Sequence, residues 1–556
     1  MKKHNIIYML VILLLVIGCQ QPDELLPPVS RNGINSITAT FEDGTGEFIG
    51  YFEEGSNEII VPIPYYFPIS SNQEVTVEQM KRMRVSANLD DNVTISPSLL
   101  YLDLTRENNI TVTDQRKEKK DYVVRAEVRK SSEAHIEEFS LPELGLAGVI
   151  NESTQTISLV AIGELAPAKA ELRLSYHASI SPDPREELID YNGEVQFTVT
   201  AHDGLTKQVY TVKKEVPEKL PFGIRSGSAK LMFAKQLNVD LGIGVDHLSG
   251  GLALSGDHIV INTRGTNSVY LNAKTGEKEG EIDLGGIKGS LTNFYSTSDD
   301  AGNILVCNLA PNSGAFKVYT ISSVEDNPEL FLTWDGGVPI GRKLSVQGSL
   351  DGDAIITAPI LQAGQQIARW QVEGGTLVSQ EPEIITMAGL EKGWGTNSDV
   401  VYSSGSDLNS DYFVASYSDN TFAWVDGTSN TVSSKLDAIS ANFIPNAVDY
   451  IAFNNSSFAT LNWVNSFTWG AADAVWLLDV SNESDFSGNL SNKTCPAVVW
   501  EAPLNTYGPN AIGAPANLNG TGDVILKVSE DGYYLYLYFM FTNGYVVGYQ
   551  FDCIDL

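Results

Sequence analysis

The sequence predicts an all-β chain. A unit of about 50 residues recurs six times between 241 and 556, and polar turns recur in step with it. Ahead of that region, short alternating runs repeat as two related modules. No comparable stretch carries apolar residues at helical spacing.

Each C-terminal unit holds an aromatic in the middle of a short alternating run. The six are Ser-Val-Tyr270-Leu-Asn, Lys-Val-Tyr319-Thr-Ile, Ala-Arg-Trp370-Gln-Val, Phe-Ala-Trp424-Val-Asp, Ala-Val-Trp476-Leu-Leu and Val-Gly-Tyr549-Gln-Phe, at offsets of 49, 51, 54, 52 and 73. The second marker is a polar turn leading into a strand. It begins at Ser255, Asp300, Asp351, Asn409, Asn454 and Asp531. Asp-Gly and Gly-Asp between alternating runs are hairpin signals, because these residues tolerate positive φ. A period near 50 built only of strands and turns predicts a β-propeller, since each unit buries its sheet only against its neighbours. Six blades follow. The long last offset predicts an insertion in the fifth blade near 482–494, and a seventh, degenerate blade there is the competing count.

Almost no chain remains after Phe551 for an outermost strand. The run Lys230-Leu-Met-Phe-Ala-Lys-Gln-Leu237 precedes the first blade and is placed to supply it. A ring closed from the other end leaves no free edge.

Of 556 residues, 43% are apolar, ample for several cores. The 36 basic and 69 acidic side chains give a net charge of −33. The acid is spread along the chain, so it reads as a solubilising surface. It argues against nucleic acid and anionic lipid as partners and leaves neutral ligands and cations open. The four cysteines, Cys19, Cys307, Cys495 and Cys553, match no zinc spacing. Cys307 falls on an inner strand and reads as a small buried hydrophobe. Cys495 and Cys553 are the pair that a disulfide between the last two blades would join.

At the N-terminus, Lys2-Lys3 is followed by the apolar run 6–17 and then Gly18-Cys19. This is the layout of a secretory signal, too short to span a bilayer. Val16-Ile17-Gly18-Cys19 resembles the bacterial lipobox. That resemblance implies cleavage before Cys19 and lipid on its sulfur, with residues 1–18 removed and the lipid as the sole membrane anchor. The acidic pair Asp23-Glu24 resembles the export signal of Bacteroidetes surface lipoproteins. Residues 19–32, with Pro22, Pro27 and Pro28, read as an extended tether.

The two modules span 33–130 and 131–219. Asn57-Glu-Ile-Ile-Val aligns with Thr154-Gln-Thr-Ile-Ser, and Met83-Arg-Val-Ser with Leu172-Arg-Leu-Ser. Val93-Thr-Ile-Ser-Pro97 aligns with Ala178-Ser-Ile-Ser-Pro182, and Ile110-Thr-Val-Thr with Phe197-Thr-Val-Thr. Short alternating strands over this length predict immunoglobulin-like sandwiches. The pair also resembles the tandem spacer modules of Bacteroidetes surface lipoproteins. Pro217, Pro221 and Gly223 mark the boundary before a propeller at 222–556.

In a propeller, the loops joining second to third strands lie on the same face as the links between blades, around the channel mouth. The second-to-third loops carry Arg264, Asn312, Gln365, Asn420, Trp463 and Trp469. The links carry His247, Lys288, Asn293, Arg342, Lys392, Trp394, Asn446 and Tyr507. Trp394, Trp463 and Trp469 have polar neighbours and read as loop residues. A loop tryptophan offers a flat face to a sugar ring, while amides bond its hydroxyls. The ligand candidates are therefore Trp394, Trp463, Trp469, Tyr507, Arg264, Arg342 and Asn293. The alternative is that the tryptophans plug the loops or channel.

No specific catalytic motif occurs. His-Glu-x-x-His and Gly-x-Ser-x-Gly are absent. Ser298-Asp-Asp300-Ala-Gly302 and Ser529-Glu-Asp531-Gly resemble parts of the sialidase aspartate box, itself a fold-stabilising turn. Asp407-x-Asn409-x-Asp411 lacks the glycine and distal glutamate of a calcium loop and reads as a turn. No metal or cofactor is expected.

The whole chain resembles the Bacteroidetes surface lipoproteins that join tandem immunoglobulin-like modules to a C-terminal β-propeller. The resemblance implies a non-catalytic, outer-membrane lipoprotein facing the cell exterior, which captures a polysaccharide or oligosaccharide at the propeller mouth alongside outer-membrane uptake proteins. The alternatives are a glycoside hydrolase or polysaccharide lyase on that face, and a scaffold of an uptake complex.

Overall fold

The computed structural model of the chain describes residues 33–245, 249–311, 314–361, 364–392, 397–418, 421–436, 444–464, 473–490 and 493–555. Two units make up the chain, Met1–Val216 and Pro217–Leu556.

The first unit contains two sandwiches of the same build. In the first, Ile34–Thr40, Met83–Leu89 and Tyr101–Leu102 form one sheet, and Glu58–Pro64, Lys119–Arg129, Asn108–Thr113 and Thr94–Ser96 form the other. Phe48–Phe52 serves both, pairing with Ile34–Thr40 through its first residues and with Glu58–Pro64 through its last. The second sandwich repeats this with Leu146–Asn151 as the shared strand. In each, one pairing is parallel: Glu58–Pro64 with Lys119–Arg129, and Thr156–Val160 with Lys207–Glu215. The alternating pattern puts equivalent side chains inside. Ile110, Val112, Tyr122 and Val124 in one core answer to Phe197, Val199, Tyr210 and Val212 in the other, all buried.

The second unit is a six-bladed propeller. The innermost strands of blades 1 to 6 are Ser249–Ser255, Tyr295–Ser298, Ser345–Gly348, Asp399–Tyr402, Ile444–Phe453 and Gly522–Val528. Every repeated aromatic lies on the third strand of its blade. Trp370, Trp424, Trp476 and Tyr549 are buried between sheets, and Tyr270 and Tyr319 are half-buried. Every polar turn of the second marker joins the first strand to the second. At Asn454-Asn455 both residues adopt positive φ, 44° and 58°, the geometry a two-residue hairpin requires. Lys230–Gln236 pairs antiparallel with Tyr545–Asp552 and closes the ring, as the sequence predicts.

The long last offset has two sources, only one of them foreseen. One is the connection from Ala474–Asp479 to Val498–Glu501, which holds the short turn Glu483–Asp485; the other links blade 5 to blade 6 and holds Pro509–Ile512. Among the described residues neither forms a seventh blade. Residues 217–223 are fastened to the propeller rather than free. Leu220 N donates to Cys553 O at 2.7 Å, Tyr533 Oη donates to Pro217 O at 2.8 Å, and Asn454 Nδ2 donates to Leu220 O at 3.0 Å.

Cys307, Cys495 and Cys553 are buried free thiols, so Cys495 and Cys553 form no disulfide. Cys307 is on the second strand of blade 2, one position outward of the expected inner strand. No helix among the described residues is long and apolar enough to cross a membrane.

Candidate functional site

The loop face carries the ends of the second strands and the starts of the first. Trp463 was expected in one of its loops, but it lies within the strand Ser456–Val464, fully buried, with its ring edge-on to Trp476 at 5.8 Å. It is a core residue. Tyr507 is also buried. It donates to or accepts from Tyr549 Oη at 2.7 Å and packs on Phe539, pinning the link between blades 5 and 6. Asn293 is fully buried and fastens two loops together. Its Oδ1 accepts from Gly265 N and Gly289 N, both at 3.0 Å, and its Nδ2 donates to Thr263 O and Thr266 O, both at 3.1 Å. Asn446 is buried as well: Gly522 N donates to its Oδ1 at 2.7 Å. Gln365 donates to Leu390 O, and Lys288 to Asn267 Oδ1. Trp394, Trp469, His247, Asn312, Asn420 and Cys19 lie outside the described residues.

Two of the expected ligand residues do come together. The Arg264 guanidinium stacks on the Phe294 ring at 4.1 Å and that of Arg342 sits 5.6 Å from the same centroid. They come from blade 1 and from the link between blades 2 and 3. Asn293, one residue before Phe294, holds the Arg264 turn against that ring. The Asn293 amide is thus spent on backbone groups of these two loops.

The channel has a different character. The inner strands enclose a cavity of about 480 Å³ whose lining extends to first-to-second hairpins, among them Gly256, Asp257 and Asp300 to Gly302, opposite the loop face. Its lining includes Asp299, Asp399, Asp449 and Asp523. An inner strand leaves one edge without a strand partner, and its N–H groups need acceptors. These carboxylates supply them across blade junctions. Asp399 Oδ2 accepts from Val448 N at 3.2 Å, Asp449 Oδ2 from Leu526 N at 2.7 Å, Asp523 Oδ2 from Leu252 N at 2.6 Å and Asp299 Oδ2 from Leu350 N at 2.7 Å. Ser298 accepts from Leu254 N at 2.8 Å, and Ser345 donates to Asp399 at 2.8 Å. Four junctions are clasped by a carboxylate on a backbone N–H, the junction of blades 1 and 2 by a serine hydroxyl, and that of blades 3 and 4 by a side-chain pair.

Under the loops, polar side chains of the described residues reach across the channel. Lys343, on the blade 3 side, reaches across the axis to blade 6, donating to Asp523 Oδ1 at 3.2 Å and Gly522 O at 3.1 Å. Both side chains are almost fully buried, 3% and 4% exposed, so each needs the other. Tyr295 Oη donates to the same Asp523 oxygen at 2.8 Å. Asn397 and Asn446 each donate to Gly520 O, at 3.2 and 2.8 Å, drawing the link before blade 6 into these contacts. Among the described residues no group of three or more acidic, His or Cys side chains is arranged to hold a metal. Asp407, Asn409 and Asp411 form a plain turn, with Asp407 capping Asn409 N and Asp411 accepting from the Trp424 indole.

The clasps carry a pH dependence. Burial raises the carboxyls of Asp399, Asp449 and Asp523, the second to about 8 and the third to about 6. The folded state then holds protons that the unfolded chain has released above about pH 4. Their stabilising effect is therefore complete below that value and is lost as pH rises through 6 to 8. Melting temperature should fall between pH 5 and 8.5, and Asp449→Asn, which removes one titrating group, should flatten the upper part of that fall. A melting temperature that rises over this range would contradict the assignment.

The extent of the ring decides the sequence family. Residues 231–552 match the family described as Domain of unknown function (DUF8500), a span that begins in the closing strand and ends in the last strand of blade 6. The chain belongs to the DUF8500 family. The DUF8500 match covers more than half of the chain and takes in the closing strand as part of the unit. Residues 14–126 are similar to Domain of unknown function (DUF5018) and residues 136–214 to Domain of unknown function (DUF8499), so the two sandwiches match different family models despite their shared build. No curated protein matches the chain.

Proposed function

We propose that the chain is a non-catalytic saccharide-binding lipoprotein, anchored through Cys19 to the outer membrane of a Bacteroidetes-type cell and facing its exterior. Its ligand is held on the loop face of the propeller. The observation that carries this reading is the set of polar contacts that cross the channel beneath the loops. Lys343 pairs with Asp523 across the channel axis, and Asn397 and Asn446 both donate to Gly520 O, so polar contacts cross the channel beneath that face, which supports binding on it rather than passage through it. The buried channel carboxylates, which a glycosidase or lyase would need as free acid and base, accept backbone N–H groups from neighbouring blades. The lipobox-like Val16-Ile17-Gly18-Cys19 and the acidic pair Asp23-Glu24 support the location.

One experiment addresses binding and anchoring together. Purified protein is titrated with dextran, xylan and polygalacturonate, with product analysis in parallel. Cells producing wild type or Cys19→Ala are incubated with the labelled polymer that binds best. Binding without shortened products is expected, with retention on wild-type cells only. Chain cleavage, or no binding to any polymer, would overturn the binding reading. Equal retention by Cys19→Ala cells would overturn the anchor.

A further inference from the structure

The propeller has four arginines, and they divide into two kinds. Arg225 makes a two-pronged pair with Asp552, at 2.7 and 2.6 Å. Arg369, buried, bonds Tyr402 Oη at 3.0 Å, Leu408 O at 2.6 Å and Glu383 at 2.6 Å. Arg264 and Arg342 have no acidic partner among the described residues. Both guanidinium groups lie against the Phe294 ring, itself buried, with Tyr417 near Arg342. Arg264 Nε is buried with no hydrogen-bond acceptor.

That arrangement is costly for a chain with 69 acidic side chains to choose from. Half-burying two guanidinium groups near one ring opposes solvation and brings like charges toward each other. Burial and the neighbouring Arg342 pull Arg264 down to about 10, and burial lowers Arg342 as well, so both have lost part of their hydration; a guanidinium keeps its charge at neutral pH. Stacking on Phe294 recovers only part of this cost. An anion between or above the two would recover the rest, through planar N–H donors that match a carboxylate or sulfate. Both guanidinium groups lie on one ring, so they are within the length of a disaccharide of each other.

Resting on the saccharide reading above, we infer that Arg264 and Arg342 form an anion subsite on the loop face, and that the saccharide bound there is acidic, carrying a uronate carboxylate or a sulfate. The distributed negative charge of the protein repels polyanions in general. The subsite therefore selects a ligand whose anionic groups are spaced by neutral sugar and hydroxyl surface, rather than a dense phosphate chain.

The test compares polygalacturonate, chondroitin sulfate, neutral dextran and double-stranded DNA on the full mature chain, wild type against Arg264→Gln, Arg342→Gln and the double variant. Acidic saccharides should bind the wild type at least tenfold more tightly than dextran, and DNA not at all. Each single variant should lose at least tenfold in affinity for the acidic saccharide, with its melting temperature retained. Wild-type binding should also weaken with added salt, a readout independent of variant folding. Dextran bound as tightly as the acidic polymers would overturn this inference and leave the saccharide reading standing. Acidic binding that the variants and salt leave unchanged would overturn it too. DNA bound as tightly would reduce the site to a general cation patch, and silence from every saccharide would overturn both readings.

Discussion

A chain beginning at 242 should fail to form a stable propeller, whereas one beginning at 217 should fold. The lost segment contains the strand Lys230–Gln236, the sole partner of the outer edge of Tyr545–Asp552. It also removes Phe233, Leu237 and Leu241, all buried in the core between blades 6 and 1. Phe233 fills the space over two glycines; a Cβ at Gly276 or Gly548 would lie 2.4 or 2.6 Å from its ring. Three buried apolar side chains contribute roughly 5–8 kcal/mol together. That is comparable to the whole stability of an ordinary domain, about 5–15 kcal/mol. The exposed edge also invites pairing between chains. Far-UV circular dichroism and sedimentation distinguish the outcomes: loss of the cooperative transition or self-association is expected for the shorter chain. Equal melting temperatures would contradict the closure.

Trp463→Ala should cost about 3–5 kcal/mol and lower the melting temperature steeply, with saccharide affinity of the folded fraction unchanged. Its ring is buried in one cluster with Phe413, Trp424, Leu461 and Trp476, and it meets Trp476 edge to face. Removing either ring of that contact leaves a cavity against the other. The double variant Trp463→Ala/Trp476→Ala should therefore lose less than the two single losses added, by about 0.5–3 kcal/mol. A Trp463→Ala protein that melts like wild type but no longer binds saccharide would return this residue to the ligand site.

The blades were legible because their core aromatics and hairpin turns recur at one period, and a period survives where individual strands are ambiguous. The loop face was harder to read. Asn462-Trp463 looks like loop sequence, yet Asn462 is fully buried and its Oδ1 accepts from Ala447 N at 2.8 Å. A polar side chain that satisfies a buried backbone group has the same composition signature as one that meets solvent. Asn293 and Asn446 misled in the same way. Arg264 and Arg342 were visible as loop cations, but their meeting at Phe294 depends on blade geometry rather than on local sequence.

The clasps were missed for a related reason. Net charge invites a surface reading of all acid, and four of these carboxylates line the channel. A signal was available. Asp399, Asp449 and Asp523 recur at offsets of 50 and 74, in step with the aromatics of their blades, and each opens an apolar run. Acid that keeps the period of a core belongs to the core's architecture.

Hydrogen exchange of the full chain, with and without a saturating acidic oligosaccharide, tests most directly which face binds. The account predicts slowed exchange in peptides covering 263–268, 286–295 and 340–344, with the hairpins at 255–258, 299–303 and 449–455 unchanged. Protection confined to those hairpins would place the ligand at the other end of the channel and contradict the assignment of the loop face.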